Sequence, residues 1–495
     1  MSFFSHLPVL IIVIPLCVAY LLPVFSRWCK NWVVPASLGA LTFSMAGSLI
    51  LLVGVMQSGP FTYHMGNWAP PWGIEFYIDY LATFAVMTIS IVSLLVLVFA
   101  SKDLLHELQT VVRSWYYTLY LVLIAAMFGM ALTNDLFNLF VFIEIAAISS
   151  CGIISIKESR ECIEAAFKYL VLSALGSGCM LLAIALVYMV TGHLSFTYIA
   201  AALPEAMQLY PYNLLASLSL FLVGLGVKSA LFPLHIWLPD AHSAAPSPSS
   251  AVLSGLVIKI YAITMIKLLF QVYPLELIAK TPVMNIILWM ATLAILVGSM
   301  FAIVQEDVKK MLAYSSIAQI GYVFLGIGLA NTNALTGGIL HIFNHALMKS
   351  MLFLAAGTFI YGTGTRKIKD LQGIGLTMPI PTLAFAIGAF AMVGVPLTNG
   401  FVSKWYLVLG SLDLGQPFFA AVVLFSSLLN GIYYLPIIVN AFFKQPQGKV
   451  TTPKQIPIQM TVALVILALG VVGFGTFPRY IVAVVAKAAQ SLLGI

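Results

Sequence analysis

Residues 224–233 read Gly-Leu-Gly-Val-Lys-Ser-Ala-Leu-Phe-Pro, and this run decides the fold. It sets Lys228 after two glycines and before a proline, in the middle of an apolar stretch longer than one bilayer crossing. Proline removes a backbone donor and glycine loosens a helix, so the run predicts an unwound turn inside a membrane span. Unwound backbone at that depth persists only where protein or a water-filled cavity satisfies it. A second run, Gly394-Val-Pro-Leu-Thr-Asn-Gly-Phe-Val-Ser-Lys404, repeats the combination in a later span. Paired interruptions of this kind point to an internal repeat and to a transport site.

The surrounding chain is of one kind throughout. Of its 495 residues 61% are hydrophobic and 8% charged, whereas soluble domains run near a quarter charged. About 20 apolar residues cross a bilayer, and the apolar runs allow roughly fourteen crossings. They are continuous rather than alternating, which excludes a β-barrel. The expected fold class is therefore an all-α polytopic membrane protein. Spans are predicted near 6–24, 32–55, 79–100, 115–133, 135–156, 163–191, 212–238, 249–272, 283–304, 311–330, 334–361, 380–410, 417–443 and 457–477. No stretch between them exceeds about 25 residues, leaving no room there for a soluble nucleotide-binding or catalytic domain. The start lacks a basic leader and a small-residue cleavage pattern, so it is read as a retained first span.

The two interrupted spans are the seventh and the twelfth, five apart. Units of five helices, an odd number, insert with opposite topology when contiguous, so two inverted five-helix repeats are expected. The corresponding division is an N-terminal three-helix segment over 1–110, a first repeat of helices 4–8 over 111–275, and a second over 276–445. A C-terminal helix and tail occupy 446–495.

Net charge is +7, and the placement of the cations carries more than their sum. Connections after odd-numbered spans hold Arg27, Lys30, Lys102, Arg113, Lys157, Arg160, Lys309, Lys310, Arg366, Lys367, Lys369, Lys444, Lys449 and Lys454. Connections after even-numbered spans hold only Lys280. The positive-inside rule then puts the odd connections in the cytoplasm and both termini on the opposite side of a cell (inner or plasma) membrane. The basic balance is a topology signal and implies no nucleic acid.

Five charges fall inside spans and away from their ends: Glu144, Lys228, Lys259, Lys349 and Lys404. An ionised group at bilayer depth costs about 2.5–3.5 kcal/mol on insertion scales, so such groups line hydrated paths or pair with one another. Glu144 and Lys228 are two spans apart and can pair, each holding the other's charge, while separation strands both. Lys259 has no acid near it in sequence, and Lys228 is its expected neighbour. A lysine deprived of water beside a like charge can accept and release a proton. Lys267, nearer the end of the same span, is read as reaching back to water. His341, His345 and Lys349 recur every four residues, one stripe of a helix, and could relay protons near neutral pH. Asp240 and His242, in the Pro239–Pro248 connection, are a possible entrance. Cys17, Cys29, Cys151, Cys162 and Cys179 show no CxxC spacing and are read as buried apolar residues. No cofactor or metal site is expected; paired histidines at i and i+4 without an acid are weak zinc ligands.

Four stretches, FPLHIWLPDAHSAAPSPSSAVLSGLVIKIYA (232–262), QEDVKKMLAYSSIAQIGY (305–322), HIFNHALMKSMLFLAAG (341–357) and GVPLTNGFVSKW (394–405), resemble the antiporter-like subunits of respiratory complex I. They resemble equally the Mrp sodium/proton antiporters and the membrane-bound hydrogenases. The resemblance covers at least spans four to thirteen. It implies fourteen helices with inverted repeats and a hydrated charged axis along the membrane midplane. It further implies that Glu144 is the fifth-helix glutamate, Lys228 its seventh-helix partner, Lys259 the central lysine of the eighth helix and Lys404 the terminal residue of the twelfth. His341, His345 and Lys349 match the eleventh-helix stripe. Lysine at 404 resembles the Mrp D-type subunit and its hydrogenase counterparts more than the glutamate-bearing middle subunit of complex I. The short tail is read as excluding the A-type and L-type subunits, which carry a long lateral helix.

The expected function is proton (cation) translocation through two linked half-channels, within a multisubunit assembly of Mrp, hydrogenase or NADH-quinone reductase type. The expected partners are other membrane subunits, H+ with Na+ as a further candidate, and the lipid bilayer. The alternative is a stand-alone secondary solute transporter, for which broken helices are also suited. A purely structural scaffold would not need the intramembrane charges.

Overall fold

The computed structural model describes residues 6–279, 281–445 and 454–495; Lys280 and Lys449 of the loop cations lie outside the described residues. Thirteen helices among the described residues are long and apolar enough to cross a membrane. The twelfth span makes the fourteenth crossing from two pieces, Pro379–Val393 and Asn399–Asp413. The seventh is likewise split: Pro211–Lys228 ends on the lysine, and Leu238–Ala244 resumes as a helix. This corrects one reading, since the first half of the Pro239–Pro248 connection is the second piece of the broken span. The helical frame carries one small addition that the sequence reading did not foresee. Phe61–His64 and Glu75–Ile78 form an antiparallel hairpin between the second and third spans, with Phe61 opposite Ile78.

Capping side chains explain where several spans begin. Asp79 accepts from the Ala82 amide at 2.7 Å, Asp135 from Asn138 at 2.7 Å, Asp307 from Lys310 at 3.0 Å and Asn331 from Ala334 at 2.8 Å. Each satisfies a first-turn donor that the helix itself leaves unpaired. Between the sixth and seventh spans lies a further helix, Phe196–Leu209, and after the last span another, Arg479–Leu493.

The spans are not equivalent in burial. The eighth (Ser247–Val272) and the eleventh (Thr332–Thr363) are enclosed along their whole apolar windows, and the tenth (Val308–Leu329) nearly so. The first, second, sixth and fourteenth are mostly turned outward. The interior is thus built on spans eight, ten and eleven, which also carry Lys259, Gln319, His341, His345 and Lys349. Small residues permit the closest approaches. A Cβ added at Gly224 would stand 2.7 Å from the Gly176 carbonyl oxygen, so glycine is required where the sixth and seventh spans cross. That crossing brings Ser173 and Ser177 of the sixth span beside Lys228.

Candidate functional site

The first broken span ends in a cation. Lys228, 1% exposed, is the last residue of its half-helix, and its ammonium complements the partial negative charge of that terminus. Its Nζ lies 3.1 Å from Glu144 Oε1 and donates to Ser173 Oγ at 2.9 Å. Ser177 donates to the same carboxylate oxygen. The pair expected from the sequence is therefore formed, and two serines that sequence reasoning did not single out complete it. Ser173 and Ser177 sit at i and i+4 in an otherwise apolar helix, a faint polar stripe that could have flagged them. Beyond Lys228 the chain turns through Ala230 at φ 55°, and Trp237 Nε1 donates to the Val227 carbonyl at 2.8 Å, closing the open helix end.

The eighth span is wound as a π-helix over Leu253–Val257 before returning to α-helix at Ile258. Such segments displace a carbonyl from the regular ladder. Here Lys259 Nζ bonds the Ser254 carbonyl of that segment. The helix of Lys259 packs against that of Lys228, as expected. Lys259 also shares the electrostatic surroundings of His242, His345 and Lys349.

The eleventh-span stripe is wholly buried. His341 joins Ser403 Oγ at 2.9 Å through Nδ1 and Gln319 Oε1 at 3.0 Å through Nε2. His345 stacks on it with ring centroids 5.7 Å apart, and neither of its nitrogens has a protein partner among the described residues. Lys349 donates to Ser315 Oγ at 2.9 Å, and Ser315 meets the Tyr434 hydroxyl at 3.0 Å. The tenth span thus supplies Ser315 and Gln319, a further i, i+4 pair of polar partners.

Lys404 closes the row. It belongs to the second piece of the twelfth span and reaches back across the break. Its Nζ donates to the Met392 carbonyl at 2.8 Å, the Val393 carbonyl at 3.1 Å and Ser427 Oγ at 3.0 Å. The ring centroid of Tyr322 is 5.0 Å away. A cation thus occupies the negative end of each half-helix, by sequence adjacency in one case and by a tertiary reach in the other. Reciprocal bonds from Asn344 Nδ2 to the Asn399 carbonyl at 2.7 Å, and from Asn399 Nδ2 to the Asn344 carbonyl at 3.4 Å, tie this break to the eleventh span.

The two entrance candidates separate. Asp240 is at the surface, 3.0 Å from Lys168 Nζ and 3.9 Å from Lys310 Nζ, on a polar recess of about 270 Å3. His242, by contrast, is fully buried, between the rings of Trp237 and Phe353, both about 6.1 Å away. It is an interior residue rather than a mouth residue, because the helix Leu238–Ala244 turns it inward.

Three further readings are corrected. Lys267 does not reach water: it is 1% exposed and donates to the Ala131 carbonyl at 2.8 Å and the Thr133 carbonyl at 2.6 Å, capping the fourth span. Lys309, read as a loop cation, is fully buried and donates to the Ala245 carbonyl. Near it lie Asp103 and Glu107, the latter paired with Lys157 and accepting from Ser247 Oγ at 2.9 Å. Of the cysteines only Cys162 is buried; Cys17 of the first span and Cys29 of the connection after it are exposed, and Cys151 and Cys179 are half-buried.

A many-span helical protein with titratable side chains strung through its interior is the class that this geometry defines. Residues 133–430 match the family described as NADH:quinone oxidoreductase/Mrp antiporter, transmembrane region, and the chain belongs to that family. It is 38% identical over 97% of both chains to the N subunit of the NADH-quinone oxidoreductase of Desulforudis audaxviator. It is 33% identical to the D-type subunit of the Na(+)/H(+) antiporter of Alkalihalophilus pseudofirmus, covering 89% of this chain and 87% of the other. Among solved structures, a chain of the archaeal membrane-bound sulfane sulfur reductase superposes with a TM-score of 0.89 at 31% identity, covering 99% and 98% of the two chains.

Proposed function

We propose that this chain is the antiporter-like, proton-translocating subunit of a multisubunit membrane complex. The observation that carries the reading is the set of titratable residues itself: Glu144, Lys228, Lys259, His345, His341, Lys349 and Lys404, carried on the fifth, seventh, eighth, eleventh and twelfth spans, with one lysine at each broken span. Buried histidine nitrogens without protein partners call for water, so the row is read as hydrated. Residues 111–275 then form one half-channel and 276–445 its inverted counterpart. Protons enter from the cytoplasm past Asp240 toward His242, and H+ is the primary ion, with Na+ carried if the assembly is of Mrp type.

The exposure of Glu144 supports membrane partners. Its side chain is 33% exposed in the isolated chain, on the same helical stripe as the exposed Phe137, Val141 and Ile148. A carboxylate facing hydrocarbon is costly, whereas one covered by a neighbouring subunit or facing its water is not. The relatives are named as subunits of an NADH-quinone oxidoreductase and of an antiporter, in keeping with this.

The test is proton uptake by inverted vesicles carrying the complex. Lys259→Ala removes the ammonium that bonds the displaced Ser254 carbonyl. Uptake is expected to fall to background while the subunit stays in the complex. Uptake at the wild-type rate would break the proposed row at its centre.

Orientation has its own expected outcome. With the basic connections in the cytoplasm, an alkaline phosphatase fused after Ile495 is active and a fluorescent protein there is dark. The reverse pattern would refute the assignment of both termini to the non-cytoplasmic side.

A further inference from the structure

On the side marked by the basic connections, a crevice of about 1220 Å3 opens between the first two spans and the junction of the third and fourth. It lies away from the interior row, and its lining separates by depth. Arg27, Lys30, Lys102 and Arg113 stand at the rim with Trp28 and Trp115, and no carboxylate among the described residues lines it. Further into the second span the wall is apolar, formed by Val33, Val34 and Leu38. Arg113 is held in place, donating to the Leu105 carbonyl at 3.1 Å and the Leu108 carbonyl at 3.0 Å. Arg27, Lys30 and Lys102 enter no ion pair among the described residues. Trp28 and Trp115 are 76% and 53% exposed. Indole rings favour the level where headgroups meet acyl chains, so the crevice opens at the membrane interface.

We propose that this crevice binds the anionic phosphodiester headgroup of a membrane phospholipid, with the upper acyl chain laid along Val33, Val34 and Leu38. Four cations with no acid suit a phosphate, and the apolar wall beneath suits the chain attached to it. A free phosphate would use the rim alone. Basic pockets between spans at this depth are where anionic headgroups bind in general.

The test uses the full-length protein, delipidated and reconstituted at fixed lipid content. Tryptophan quenching by brominated phosphatidylglycerol is compared with quenching by brominated phosphatidylcholine. The expected result is roughly tenfold preference for the anionic lipid. It should be lost in the triple variant Arg27→Gln, Lys30→Gln, Lys102→Gln and retained in Lys30→Arg, Lys102→Arg, which keeps the charges and controls for folding. Replacement of Trp28 and Trp115 by phenylalanine should remove the quenching difference, placing the lipid at this crevice. Equal quenching by the two lipids in the wild type, or a preference that survives the triple variant, overturns the proposal. Displacement by millimolar glycerol phosphate overturns the lipid source in favour of a soluble phosphate. A preference seen in the isolated chain but absent from the assembled complex means that a neighbouring subunit covers the crevice, and also overturns it.

Discussion

Glu144→Gln is expected to abolish proton uptake. Glutamine keeps the size of the side chain and can still accept from Ser177 and Lys228, so the change isolates the charge. Breaking an enclosed ion pair costs about 3–5 kcal/mol when the orphaned charge stays dry. With the carboxylate a third exposed the cost is discounted for screening, and the subunit should remain assembled. Lys228→Ala, which strands the carboxylate instead, should give the same loss of uptake, with Ser173 left without its ammonium donor. Cys151→Ala, a half-buried change in the same helix as Glu144, serves as the control. Uptake measured in inverted vesicles, beside immunoblots of the purified complex, separates lost transport from lost assembly. Near-normal coupling in Glu144→Gln would reduce the pair to a static bridge.

The second large effect is expected at Lys404. Arginine keeps a positive charge and can still donate to the Met392 and Val393 carbonyls, but it does not release its proton in a protein. If Lys404 passes a proton onward, Lys404→Arg should transport no better than Lys404→Ala. Were Lys404 only a fixed charge holding the broken helix, arginine would transport normally and alanine would not. The comparison of the two variants therefore decides between a carrier and an anchor. Wild-type rates in Lys404→Arg would mean that the relay ends elsewhere.

Much of this arrangement is legible from residue order because lipid is an unforgiving solvent. A lysine deep within an apolar span has few explanations, so Lys228, Lys259, Lys349 and Lys404 announce themselves. Lys267 and Lys309 do not. Each lies close to a span end, where reaching for water and bonding to a neighbouring helix end leave the same trace in the sequence. Only the packing of the fourth span beneath Lys267, and of the Ala245 carbonyl over Lys309, distinguishes them. The serines fail for a related reason. A hydroxyl can bond its own helix one turn back, as Ser177 does to the Ser173 carbonyl, so serine in an apolar helix carries little information about a partner across the bundle. The hairpin at Phe61–His64 escapes notice because four-residue strands leave too short an alternation to read.

The enclosed eleventh span, Thr332–Thr363, touches protein along its whole apolar length. Bilayers differ in thickness, and a span that faces lipid must tilt, kink or deform the lipid to match. That adjustment falls on the outward-facing first, second, sixth and fourteenth spans. The histidines and Lys349 keep their spacing to Ser315 and Gln319 whatever the acyl chain length around the protein. The charge-bearing helix is mechanically insulated from the membrane that it serves.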